Sequence, residues 1–249
     1  MKNKSTSFLS RSWRFLKRLF LILFAAQLVY IIILKWINPP ITLTQFASWI
    51  TGNGLKRDYV SWDELSYNIK LAVISSEDQL FPDHSGFDWK SIEKAMKYNK
   101  RKPNRVKGGS TISQQVAKNV FLWQDRSWIR KGLEVYFTKM IEWIWGKKRI
   151  LEVYLNVIET GKGIFGAEAA AQIYFRKPAA KLNRREAAMI AACLPNPKKY
   201  SVKPLSNYVS KRSGWVGRQM NFIEGDEDVQ GLINAKVEKK KATGKKNPA

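Results

Sequence analysis

The distribution of apolar positions divides the chain into two parts. Residues 19–34, LFLILFAAQLVYIIIL, form one run with Gln27 as its single strongly polar position. At about 1.5 Å per residue the run is about 24 Å long as a helix, and Phe15, Leu16, Trp36 and Ile37 extend it toward the roughly 30 Å of a bilayer core. Lys17, Arg18 and Lys35 can reach the interfaces with their charges, and Trp36 suits the headgroup zone. Beyond Pro39-Pro40 the apolar residues return at helical spacing, and no alternating strand pattern is found.

Helix starts can be read from capping residues. Ser61-x-x-Glu64 has the form of a capping box, followed by Leu65, Ile69, Ala72 and Val73, and this helix would deliver Glu77 near its end. Asp88 can cap a second helix carrying Ile92, Ala95 and Met96. A basic loop with Pro103 and two glycines runs from Lys100 to Gly109. Ser110 can cap a third helix, with Ile112, Val116 and Val120 as its stripe, and Ser127 a fourth reaching about Gly146. Lys147 to Thr160 continues helically and stops at Gly161. Asn183-x-x-Glu186 opens a last helix that Pro195 ends. The predicted division is a basic segment at 1–18, a membrane anchor at 19–37, a linker at 38–60, a mainly α domain at 61–220 and a basic tail at 221–249.

Six basic residues and no acidic one precede the apolar run, and after Lys35 the next basic residue is Lys56. The positive-inside rule therefore keeps the N-terminus in the cytoplasm and exports the rest. A cleaved signal peptide would have a shorter apolar core and a small-x-small site, and none follows Leu34. The net charge of +24 directs the chain toward polyanions, whether anionic headgroups, phosphorylated substrates or nucleic acid. Export argues against nucleic acid. One cysteine, Cys193, excludes an internal disulfide, and one histidine, His84, excludes a multi-histidine zinc site.

Three strings carry candidate chemistry. Glu77-Asp78 sits at a helix end beside Leu80 and Phe81, where desolvation would make a carboxylate a better base. By itself this also reads as a solvated helix end. In GGSTISQQVAKN, Gly108 to Asn119, glycines and a helix start can admit an anion, and Gln114 and Lys118 stand four apart on one face. A polar helix face with a flexible entry would read the same way. In DRSWIRKGLE, Arg130 and Glu134 can pair as a surface ion pair, or Arg126, Arg130 and Lys131 can form a cationic wall for a pyrophosphate.

These strings, together with KKRILEVYLNVIETGKGIFGAEAAAQIYF and LNRREAAMIAACLPNP, resemble glycosyltransferase family 51 in order and spacing over about Val73 to Pro204. That family comprises the glycan-polymerising domains of class A penicillin-binding proteins and their single-domain relatives, and the length and LPNP ending are most similar to the monofunctional members. The resemblance implies a lysozyme-like α domain with a small hydrophobic lobe dipping into the bilayer, to which Trp123, Trp128, Trp143 and Trp145 can contribute, although core packing explains the last two equally well.

It also implies Glu77 as catalytic base and Glu134 as a second essential carboxylate. Substrate contacts are implied at Asp78, His84, Gln114, Gln115, Lys118, Asn119, Arg126, Arg130, Lys131, Lys147 and Asn156. The resemblance fixes no cofactor: Glu134 could either orient the cations or hold a divalent Mg or Mn ion. The implied partners are lipid II, the growing lipid-linked glycan, the inner membrane and other cell-wall synthesis proteins. Ser113 replaces a threonine usual in bifunctional members and keeps the hydroxyl. The rival reading is a glycan-cleaving lytic transglycosylase or muramidase, which would not need paired basic motifs. Ser91-Ile-Glu-Lys94 fits the Ser-x-x-Lys of a transpeptidase, but no Lys-Thr-Gly accompanies it.

Overall fold

The computed structural model describes residues 4–103, 108–125 and 127–234, with side chains from Ser10 onward. Arg126 and the lysine-rich end from Lys236 lie outside the described residues. Helix α1 (Lys4–Ile33) runs from the basic segment through the apolar run without a break, so position 18/19 is not a structural boundary. Its stretch Ser10–Ile33 is long and apolar enough to cross a membrane.

The segment read as a linker carries structure. Thr42 and Gln45 form a capping box at the start of α2 (Leu43–Ile50), and Lys56–Arg57 form a short strand, β1. An eight-residue helix gives little periodicity to read. It buries Gln45 and Ser48 and leaves Phe46, Trp49 and Ile50 exposed.

The Ser61/Glu64 box closes only a 3₁₀ turn, Trp62–Glu64. The helix expected from it begins later, as α3 (Tyr67–Glu77), where Ser66 accepts a hydrogen bond from Ile69 N. Leu65, Ile69, Ala72 and Val73 are all buried, and Leu71 and Ile74 join them. α3 is therefore enclosed nearly all round, as a core helix must be. Each such Leu or Ile contributes about 1.5–3 kcal/mol by leaving water.

Asp88 caps α4 (Trp89–Arg101). Thr111, not Ser110, caps α5 (Ile112–Phe121), and Ser127 caps α6 (Trp128–Ile144). α7 (Lys147–Val157) ends before the expected Thr160, because Glu159–Gly161 form strand β2. β2 pairs antiparallel with β3 (Ile164–Phe165), and β1 adds to β3 in parallel. Strands of two or three residues cannot display an alternating pattern, so the sheet was not legible in the sequence.

The chain continues through α8 (Ala167–Phe175), α9 (Arg184–Cys193), α10 (Asn207–Ile223) and α11 (Glu227–Asn234). The part of the predicted tail up to Asn234 is thus helical, and Val229 and Ile233 belong to the core. α3 packs between α9 and α10, while α5 packs on α6 and α7.

α1 is tied to the domain. Trp145 Nε1 donates to the Ile31 carbonyl at 2.8 Å, Arg149 Nε to the Leu34 carbonyl at 3.1 Å, and Tyr136 Oη to Gln27 Oε1 at 3.0 Å. The Gln27 oxygen is satisfied in this way, while its Nε2 is buried without a hydrogen-bond partner among the described residues. Trp145 is buried core, whereas Trp143 and Trp128 are 83% and 92% exposed, with Ile129 exposed beside them. The outer faces of α2 and α6 extend the apolar surface of α1.

Candidate active site

Glu77 is the last residue of α3, so its side chain projects where the helix stops and a cleft begins. Asp78 follows as C-cap. The cleft, about 440 Å³, is lined by residues 75–80, by Asp88, Ser91 and Lys94 of the α4 end, by Gly108 to Thr111, and by Trp215 of α10. Gln115 Nε2 donates to Glu77 Oε2 at 2.9 Å, and the fully buried Tyr154 hydroxyl donates to Gln115 Oε1 at 3.1 Å. This relay from α7 through α5 fixes the carboxylate orientation. Burial raises the Glu77 pKa above the usual carboxylate range; the Gln115 bond and the Arg212 guanidinium oppose that rise, and the neighbouring Asp78 carboxylate adds to it.

One helical turn along α5 from Gln115 stands Lys118. Burial lowers its pKa, the Glu134 carboxylate opposes the drop, and the Arg130 and Lys131 charges deepen it. Glu134 is buried and accepts from Arg130 NH1 at 2.7 Å and from Lys131 Nζ. Three cations thus share one carboxylate, a local excess of two positive charges among the described residues. Arg130 Nε is buried and has no hydrogen-bond partner among the described residues.

Other expected site residues are engaged with partners inside the protein. Both Asp78 oxygens lie 3.0 Å from His84 Nε2, and Oδ2 also accepts from Ile112 N at 2.9 Å. His84 Nδ1 accepts from Gly86 N. Gly86 has φ +91°, and a Cβ there would stand 2.8 Å from Thr138 Cγ2. The start of α5, expected to bind a substrate anion, is therefore already satisfied by the protein's own Asp78 carboxylate. Gly109 was expected to admit a ligand, but a Cβ there would press on the α4 backbone at 3.2 Å. Its smallness serves loop packing.

Gln114 is buried, with Oε1 accepting from Thr111 N in the capping box. Its amide is turned inward, while Lys118 on the next turn is half-buried. Asn119 is buried and accepts from Gln124. Lys147 pairs with Glu142 at 2.7 Å, and Ser113 Oγ donates to the same Glu142 oxygen. Asn156 is buried; Oδ1 accepts from Val60 N, while Nδ2 donates to the Val60 and Glu152 carbonyls. It fastens the segment that leads into α3. All four thus have hydrogen-bond or ion-pair partners within the protein.

A divalent ion at Glu134 does not fit. Both of its oxygens are taken by cations, and among the described residues no three His, Cys, Asp or Glu side chains come together. Sequence reasoning missed Tyr154, Arg212 and Trp215. Tyr154 reads as one more apolar helix position, and Arg212 is one of 44 Lys and Arg residues with nothing to single it out.

A family model described as Transglycosylase matches residues 44–221. The chain is 47% identical over 218 residues to a protein of Pseudomonas savastanoi pv. phaseolicola named biosynthetic peptidoglycan transglycosylase, covering 85% of this chain and 92% of that one. It is 54% identical over 189 residues to a protein of the same name from Escherichia coli (strain ATCC 8739), covering 75% and 78%. The match begins inside α2, so that helix belongs with the domain.

Proposed function

The chain belongs to the transglycosylase family and is a lysozyme-like peptidoglycan glycosyltransferase that polymerises glycan, and we propose that it joins lipid II units into β-1,4 strands with Glu77 as general base. The acceptor 4-hydroxyl gives its proton to Glu77 while its oxygen attacks the donor anomeric carbon. The bond from that carbon to the undecaprenyl diphosphate breaks on the opposite face, inverting the centre. No covalent enzyme intermediate is required.

The observation that carries this reading is the pairing of two unlike environments along α5. A desolvated carboxylate held by a neutral amide lies beside Gln115, and an uncompensated cationic cluster lies one turn away at Lys118. The first suits proton abstraction. The second suits a departing diphosphate, whose negative charge grows as the anomeric C–O bond breaks and whose oxygens would satisfy Arg130 Nε. Glu134 orients Arg130 and Lys131. Asp78 and His84 hold the loop that follows the base, and Gln115 aims it.

α1 anchors the protein in the bacterial inner membrane, with the N-terminus cytoplasmic and the domain periplasmic, as the basic N-terminal block supports. The exposed Trp49, Trp128 and Trp143 support a lobe seated in the interface, where a lipid-linked substrate is delivered. The names of the relatives support synthesis over glycan cleavage.

The test is polymerisation of purified lipid II by the detergent-solubilised full chain. Glu77→Gln should still bind the substrate and polymerise at least about a hundredfold slower, the typical loss of a general base. Near-normal polymer from that variant would remove Glu77 from the role.

A further inference from the structure

α10 presents one face to the end of α3. Tyr208, Arg212, Trp215 and Gln219 recur at helical spacing along it. Gln219 Oε1 accepts from Gln79 Nε2 at 2.8 Å, which fixes this face two residues from Glu77. Trp215 lines the same cleft as Glu77. The Arg212 guanidinium carbon stands 3.6 Å from the centroid of the Trp215 ring, a cation–π contact. Arg212 Nε is buried and has no hydrogen-bond partner among the described residues. Its charge acts on Glu77 and on Tyr208.

From this geometry we propose that Arg212, held against the cleft-lining Trp215, is a positioning residue of the reaction, presenting a cation beside Glu77 so that the carboxylate can accept the sugar proton. The inference rests on Glu77 being the base. The need for such a cation follows from the other groups that face Glu77. Tyr154 and Gln115 are neutral, Tyr208 is a phenol, Asp78 carries like charge, and from α4 Asp88 and Lys94 line the same cleft with opposite charges that offset each other. Burial and Asp78 both favour the protonated carboxyl, which cannot accept a proton. Gln115 supplies one neutral hydrogen bond against them. Arg212 is the cation on the opposing side, and it makes no ion pair that would tie the carboxylate down among the described residues. A base clamped in a direct ion pair would be too weak; one facing a cation at a remove stays charged yet basic.

The experiment is the pH dependence of lipid II polymerisation, under substrate saturation, by the full chain and its Arg212→Met, Arg212→Gln, Arg212→Lys and Glu77→Gln variants, with melting midpoints taken alongside. Loss of the cation should move the acid limb upward by about one pH unit, so that Arg212→Met and Arg212→Gln lose about tenfold below the limb and approach the parent rate well above it. Arg212→Lys should keep the parent limb. Parallel profiles, in which Met and Gln variants lose the same factor at every pH or lose nothing, would overturn the assignment and leave Arg212 a packing residue. That result is distinguishable from failure of the base itself: Glu77→Gln would then still be inactive, whereas an active Glu77→Gln overturns the premise.

Discussion

Glu77 and Glu134 are both carboxylates drawn away from bulk water, yet their partners are opposite in kind. Glu77 accepts one hydrogen bond from a neutral amide, and its guanidinium neighbour stays unpaired with it. Glu134 is gripped by Arg130 and Lys131. A carboxylate that can change its protonation at little cost to its neighbours is fitted to move a proton. One whose charge holds two cations in place is fitted to keep their geometry. On the proposed mechanism the same residue type thus supplies a base and a brace, and the surroundings decide which.

The sharpest way to break this comparison is to make the same substitution at both positions. Glu77→Gln should cost at least about a hundredfold in polymerisation while leaving the fold intact. Glu134→Gln should lose activity and also about 3 kcal/mol of stability, because it strands the largely buried Arg130 beside Lys131. Thermal or denaturant unfolding in detergent measures the second. If Glu134→Gln abolished polymerisation with stability unchanged, Glu134 would be a second proton-transfer group.

A smaller effect separates placed charge from general charge. Lys118→Ala removes the cation one turn from the base and should slow polymerisation about ten- to a hundredfold. Lys97→Ala breaks an exposed pair with Glu93 on α4, worth well under 1 kcal/mol, and should change nothing measurable. Equal losses from the two would mean that the chain's net charge of +24, and not the cluster at Glu134, attracts the diphosphate.

The two carboxylates differed in how they could be read from the sequence. Glu77 at a helix end and the Arg130/Glu134 spacing follow from local periodicity, because α3 and α6 are long enough to display it. The buried stripe of α3 and the caps at Asp88, Ser127 and Asn183 were legible for the same reason. The inward turn of Gln114 was not, because a glutamine at a cap and a glutamine on a ligand-facing surface have the same spacing. The bonds of Asn156 were hidden likewise: its partner Val60 is 96 positions away, and no local rule connects them. The Arg212 charge acts on Glu77 only once α10 has docked on α3, between residues 135 positions apart.

The smallest expected effect concerns stability and has a definite sign. Burial holds the Glu77 pKa above its ordinary 4.5. Between the unfolded value and that raised value, the folded chain binds the proton more readily than the unfolded chain. The associated stability is fully present below the unfolded pKa and is lost as pH rises through the folded pKa. At neutral pH, then, the ionised Glu77 destabilises the fold that positions it. Glutamine keeps an oxygen for Gln115 and removes the charge. Glu77→Gln should therefore melt up to a few degrees higher than the parent at pH 7.5, and the gain should vanish near pH 4, where both side chains are neutral. An equal gain at both pH values would trace to packing and not to charge. A loss at pH 7.5 would mean that the carboxylate is better solvated by its neighbours than its burial implies, and Glu77 would then resemble Glu134, removing the contrast between base and brace.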